Sequence, residues 1–176
     1  MKSINIRRLV MAALCLALCL YLPFLTGQIP QIGQALSPMH IPVLLCGFLC
    51  GWPFGLGVGA VAPVLRYFMF GMPPLFPTGV AMAAELAVYG FMTGFLYARL
   101  PKKTINIYVA LIISMLAGRV VWGVVQTVIA GASGSAFGWA AFFAGAFTNA
   151  VPGIICHILL IPVIVIALKK AGILHA

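Results

Sequence analysis

Long apolar runs, broken by short basic or Gly/Pro-rich segments, set the pattern of this chain. A helix needs about 20 residues, at 1.5 Å each, to cross a hydrocarbon core about 30 Å thick. The runs predict six transmembrane helices, over residues 9–25, 38–52, 54–70, 79–100, 105–129 and 139–168. The second is short for a full crossing. Gly51-Trp52-Pro53 turns it into the third, and Gly47, Gly51, Gly55 and Gly59 recur every fourth residue across that turn. Small residues at this spacing let helix backbones approach closely, so the repeat predicts a tightly packed helical hairpin. The last run contains Pro152 and Pro162, which predict a bend or an interruption.

Composition turns this pattern into a class. Hydrophobic residues make up 64% of the chain, charged residues 6%, and the mean hydropathy is +1.20. A water-facing domain carries about 25% charged residues. The expected fold is therefore an all-α integral membrane protein, a single six-helix membrane domain over residues 1–176. The net charge of +9 would point to nucleic acid in a soluble protein. Here the basic residues flank apolar runs, which makes them topology determinants and excludes nucleic acid as a partner. With six spans, Lys2, Arg7, Arg8, Arg99, Lys102, Lys103, Lys169 and Lys170 fall on one side, and the opposite loops hold no Lys or Arg. The positive-inside rule then predicts cytoplasmic N- and C-termini in the cell membrane. The stretch from Leu9 to Leu25 is longer than a signal-peptide core, and no small-x-small cleavage site follows it, so it reads as a retained first helix. Five cysteines all lie inside apolar runs without metal-ligand spacing, and read as packing residues.

Against this background the polar groups inside the spans stand out, because an ionisable side chain in a bilayer is a functional-site hypothesis by default. Glu85 is the only acid in the chain, and Arg66 and Arg119 are its only arginines inside apolar sequence. Counting along alternating helices puts Arg66 about 18 Å and Arg119 about 21 Å above the cytoplasmic side. The same count puts Glu85 about 9 Å and Asn149 about 15 Å below the outer side. All four converge on the outer half. Tyr89 lies one turn below Glu85, Trp122 nearly one turn above Arg119, and His40 at the outer mouth of the second span. His157 counts to a deeper level and reads as a packing histidine. Glu85 can pair with either arginine; one acid cannot neutralise both. The surplus positive charge favours an anionic ligand, and the planar guanidinium fork suits a carboxylate. Arg66 and Arg119 are thus the candidates for holding a carboxylate, with Glu85 orienting one of them or accepting from the ligand. Asn149 and His40 are further polar contacts, and Tyr89 and Trp122 amphipathic walls. The loop from Thr26 to Ser37, with Gln28, Gln31 and Gln34, is uncharged and half apolar, as a segment folded back onto the protein would be, and the Pro73–Pro77 bend turns the third and fourth spans antiparallel. There is no Ser/His/acid set, HExxH, paired carboxylates or GxxxxGK loop, so neither acid–base catalysis nor ATP binding by this chain is indicated. No cofactor or metal is expected.

In order along the chain, several segments resemble the substrate-binding (S) component of an energy-coupling factor (ECF) vitamin transporter. They are Arg7-Arg8 leading to Ala12-Ala13 and Ala17, Pro38 to Gly47, Gly51 to Gly59, Ala81 to Gly90, and Ala117-Gly118-Arg119 to Trp122. The pattern is most similar to the pantothenate type. The resemblance implies a high-affinity vitamin-binding subunit, not an enzyme, of an ABC-type importer. It implies that Ala13 and Ala17 on the first helix contact a membrane-embedded coupling subunit, and that two cytoplasmic ATPases supply the energy. S components for niacin, folate, cobalamin or riboflavin are the alternative, as is a stand-alone carrier, although no internal repeat is visible. A lipid-modifying membrane enzyme, or an assembly factor using Arg and Glu as helix glue, completes the set.

Overall fold

The computed structural model describes residues 6–25, 37–132 and 151–172, and among these there is helix but no strand. The elements are α1 (Ile6–Leu25), α2 (His40–Cys50), α3 (Trp52–Phe70), a bend at Leu75–Gly79, α4 (Val80–Arg99), α5 (Thr104–Ala132) and α6 (Val151–Lys170). All but α2 are long and apolar enough to cross a membrane. Each sits on one of the apolar runs. Asn149, the Gln-containing loop over 26–36 and the first half of the last predicted span lie outside the described residues.

Helix ends follow local chemistry. Gly51, at φ 92°, separates α2 from α3, and Pro53 occupies the first turn of α3, where its missing N–H costs nothing. Gly71 takes the left-handed conformation that closes α3, donating its N–H to the Tyr67 carbonyl at 2.8 Å. Lys169 and Lys170 occupy the last turn of α6, where positive charge complements the helix dipole.

The centre of the bundle is α2. Every residue of it except Ile41 and Leu49 is buried, and it packs on α1, α3, α4 and α6. Its 11 residues extend only about 16 Å. Its first residue, His40, therefore lies inside the thickness of the bundle rather than at its surface. The seam of α2 and α3 against α4 is built from glycine. A side chain at Gly47 would meet Thr93 and the Gly90 carbonyl; at Gly55, the Gly90 backbone; at Gly59, the Leu86 backbone; and at Gly94, the Gly51–Trp52 backbone. The four-residue glycine repeat thus closes the α2–α3 hairpin, where a side chain at Gly55 would also meet the Gly47 Cα, and seats both helices on α4. Elsewhere the outward faces are apolar, as at Leu14, Val61, Leu116, Val124, Leu159 and Val163. Inward hydroxyls bond within their own helices, Thr93 to the Tyr89 carbonyl at 2.8 Å and Ser114 to Ala110 at 2.6 Å. A bilayer offers no water to satisfy them otherwise.

Basic residues outside the apolar runs meet at the α4–α5 turn and the end of α6. Lys169 donates to the Lys102 carbonyl at 2.7 Å, tying α6 to the α4–α5 turn. Lys102 donates to the Tyr97 carbonyl at 2.9 Å and stands over the Tyr97 ring. Partial burial and the nearby Lys169 hold the Lys102 ammonium below the usual lysine range.

Candidate functional site

At the opposite half of the bundle, four helices deliver polar side chains to one point. Glu85, on the second turn of α4, is buried to 2% exposure. Arg119 of α5 approaches it with Nη1 at 3.2 Å from Oε1. Tyr89, one turn further along α4, donates its hydroxyl to the same oxygen at 2.9 Å. His40, the first residue of α2, brings Nε2 to 3.6 Å, an ion-pair separation longer than a hydrogen bond. Its ring also stands edge-on to Tyr89, with centroids 5.3 Å apart. From α6, His157 stacks on His40 at 6.0 Å and 20° between planes.

Each position has a local cause. Glu85 and Tyr89 share a face of α4 because they are four residues apart. Arg119 can reach across because the preceding residue is Gly118, where a side chain would collide with the Tyr89 ring and approach the Glu85 carbonyl. His40 reaches Glu85 because α2 is short.

The cluster is only partly satisfied. His40 Nδ1 and Nε2, Arg119 Nε and His157 Nε2 are buried, and none has a hydrogen-bond partner among the described residues. Buried polar atoms are ordinarily paired, so four orphans around one carboxylate is an unusual concentration. Arg119 Nε can only donate, and each imidazole offers both capacities. The set therefore offers one fixed donor and imidazole nitrogens that can donate or accept.

Glu85, Arg119, Tyr89 and His40 come together, and Arg119 is the arginine that pairs with the acid. Arg66 does not pair with Glu85. It is buried to 4% exposure, donates Nη1 to the Leu20 carbonyl of α1 at 2.5 Å, and lies over the rings of Phe24 and Phe70 at 5.0 and 5.4 Å. Because Gly59 meets Leu86, Arg66 sits seven residues, about 10 Å, nearer the end of α3 than the level of Glu85. The two charges expected at one depth are two helical turns apart. Trp122 is half-buried on α5, one turn beyond Arg119.

His157 corrects the sequence reading most. Depth counted from residue 139 puts it far below the cluster, yet its ring stacks on His40. Gly118 was visible only as part of a longer segment, since nothing in the sequence reveals that Tyr89 needs its space.

Four helices thus converge on one buried carboxylate inside an apolar bundle. Among the described residues no group of His, Cys, Asp and Glu could hold a metal. A search of curated proteins and one of solved structures returned no match. The family model described as "ECF transporter, substrate-specific component" matches residues 7–165, nearly the whole chain, and the protein therefore belongs to the ECF-transporter substrate-specific component family.

Proposed function

We propose that this chain binds a small, hydroxylated carboxylate vitamin or precursor, of the pantothenate type, at the Glu85 cluster, as the capture subunit of an ECF importer. The observation that carries this reading is the set of orphaned nitrogens on His40, Arg119 and His157. A carboxylate supplies acceptors to the Nε edge of Arg119 and to the imidazoles, while substrate hydroxyl and amide groups find Glu85 and Tyr89. Leaving these atoms unpaired costs about 1–3 kcal/mol each, which ligand binding recovers. Arg66 adds unbalanced positive charge about two turns away, drawing an anion towards this half of the bundle. Asn149 and Trp122 complete the proposed lining, and the Pro73–Pro77 bend, which packs on α3, α4 and α5, is the proposed lid.

Equilibrium binding to the purified chain in detergent tests the assignment. Pantothenate is expected to bind at micromolar concentration or below, and Arg119→Ala to abolish binding. Absence of binding by the unaltered protein removes pantothenate, and mass spectrometry of co-purifying small molecules then identifies the vitamin that replaces it.

The partners follow from α1. Ala12, Cys15 and Cys19 face the core, whereas Ala13 and Ala17 are exposed, an outward small-x-x-x-small pair that lets another helix approach. We place the membrane-embedded coupling subunit there, with its two ATPases at the basic end, which the positive-inside rule makes cytoplasmic. Ala13→Leu combined with Ala17→Leu is expected to leave vitamin binding intact while co-purification with the coupling subunit is lost. Retained co-purification would move the interface elsewhere.

A further inference from the structure

The charges of the cluster cancel before any ligand arrives. Glu85 is the only acid of the chain, and Arg119 balances it at 3.2 Å. Arg66 is committed to the Leu20 carbonyl and to the rings of Phe24 and Phe70. A carboxylate entering here therefore brings a second negative charge into a buried place that holds one spare cation only at a distance. An uncompensated buried charge is strongly unfavourable. Two imidazoles stand where that charge arrives, and imidazole is the side chain whose charge changes near neutral pH.

We infer that the stacked His40–His157 pair takes up one proton when an anionic substrate binds, so that the substrate enters as an anion accompanied by a proton. The inference rests on the carboxylate reading above. The proton comes from solvent and goes to a ring nitrogen; no bond of the substrate forms or breaks. One proton is the limit, because two imidazolium rings stacked at 6.0 Å would repel each other. His40 is the ring that keeps it. Its Nε2 faces Glu85 at 3.6 Å, and its Nδ1 is left to meet the ligand. The groups facing this ring are Glu85 and Tyr89 from α4, Arg119 from α5 and His157 from α6. On the α1 side, Cys19 Sγ lies 3.6 Å from the Met39 carbonyl beside it.

The sign follows from linkage. The proposed complex holds one proton more than the free protein and the free anion together. Affinity gained from the proton is full at low pH and is lost as pH rises, by at most about tenfold per pH unit for one proton.

Calorimetry with pantothenate on the purified full chain, near pH 8 in two buffers of different ionisation enthalpy, counts the protons directly. We expect uptake of about one proton, with Kd weakening by up to about tenfold per unit on the alkaline side. His40→Gln keeps hydrogen-bonding capacity but cannot titrate, and is expected to bind more weakly with a pH-independent Kd; His157→Gln is expected to retain uptake. The proton count on the unaltered protein decides the matter even if neither variant folds. Binding with no buffer-dependent heat and a pH-invariant Kd overturns the inference and leaves the carboxylate reading standing. Absence of pantothenate binding overturns both.

Discussion

Arg119→Leu is expected to destabilise the bundle by about 3–5 kcal/mol and to abolish substrate binding. The leucine fills much of the volume, so the loss is electrostatic. Glu85 would remain at 2% exposure, with only the Tyr89 hydroxyl at 2.9 Å and a more distant His40 to hold its charge. Thermal unfolding in detergent should register a fall in Tm on the order of 10 °C. The double variant Glu85→Gln with Arg119→Leu separates two roles that coincide here. Once the carboxylate is neutral, nothing requires the guanidinium for folding, so most of the stability should return. Vitamin binding should not return, because the Nε donor and the charge it carried are still missing. If the double variant bound vitamin as well as the unaltered chain, the pair would be helix glue alone.

Gly90→Ala is expected to cost about 2–3 kcal/mol, at the upper end for an added methyl in a packed core. The new Cβ would fall on the carbonyl, carbonyl carbon and Cα of Gly55. These are backbone atoms, so no rotamer change relieves the contact and α3 must move away from α4. Two neighbours in the same seam resist that movement, Gly59 against Leu86 and Gly94 against Trp52. Because α4 also carries Glu85 and Tyr89, vitamin affinity should fall with stability. Gly57→Ala is the control: a side chain there meets nothing, and alanine favours helix over glycine by about 1 kcal/mol. Equal unfolding temperatures for the two variants would show that the glycine seam is not what holds these helices together.

The pair of outcomes also separates what each residue type could announce in advance. Glu85 and Arg119 were legible because a bilayer makes any intramembrane charge conspicuous, and their depths follow from counting residues along helices whose ends are marked by Gly, Pro and Lys. Tyr89 was legible because four residues bring side chains onto one helical face. His157 was read as a packing residue because counting along one apolar run does not show which ring of a neighbouring helix it meets; in the fold it stacks on His40. Arg66 was placed too near Glu85 because counting fixes height only coarsely and says nothing about direction around a helix axis. Its guanidinium turns to α1, where a carbonyl and two aromatic rings receive it.

Hydropathy and composition along the chain are enough to establish a membrane protein, to locate its apolar helices and to single out a few chemically conspicuous residues. Those properties are local or additive: hydropathy sums over a run, and breakers act where they stand. Tertiary structure alone decided which arginine pairs with Glu85, that α2 is the buried axis with His40 at its inner end, and that His157 belongs to the cluster. These depend on the rotation of each helix about its axis. That rotation is set by glycine contacts such as Gly55 on Gly90 and Gly118 on Tyr89, between residues far apart in the chain, which no one-dimensional pattern records.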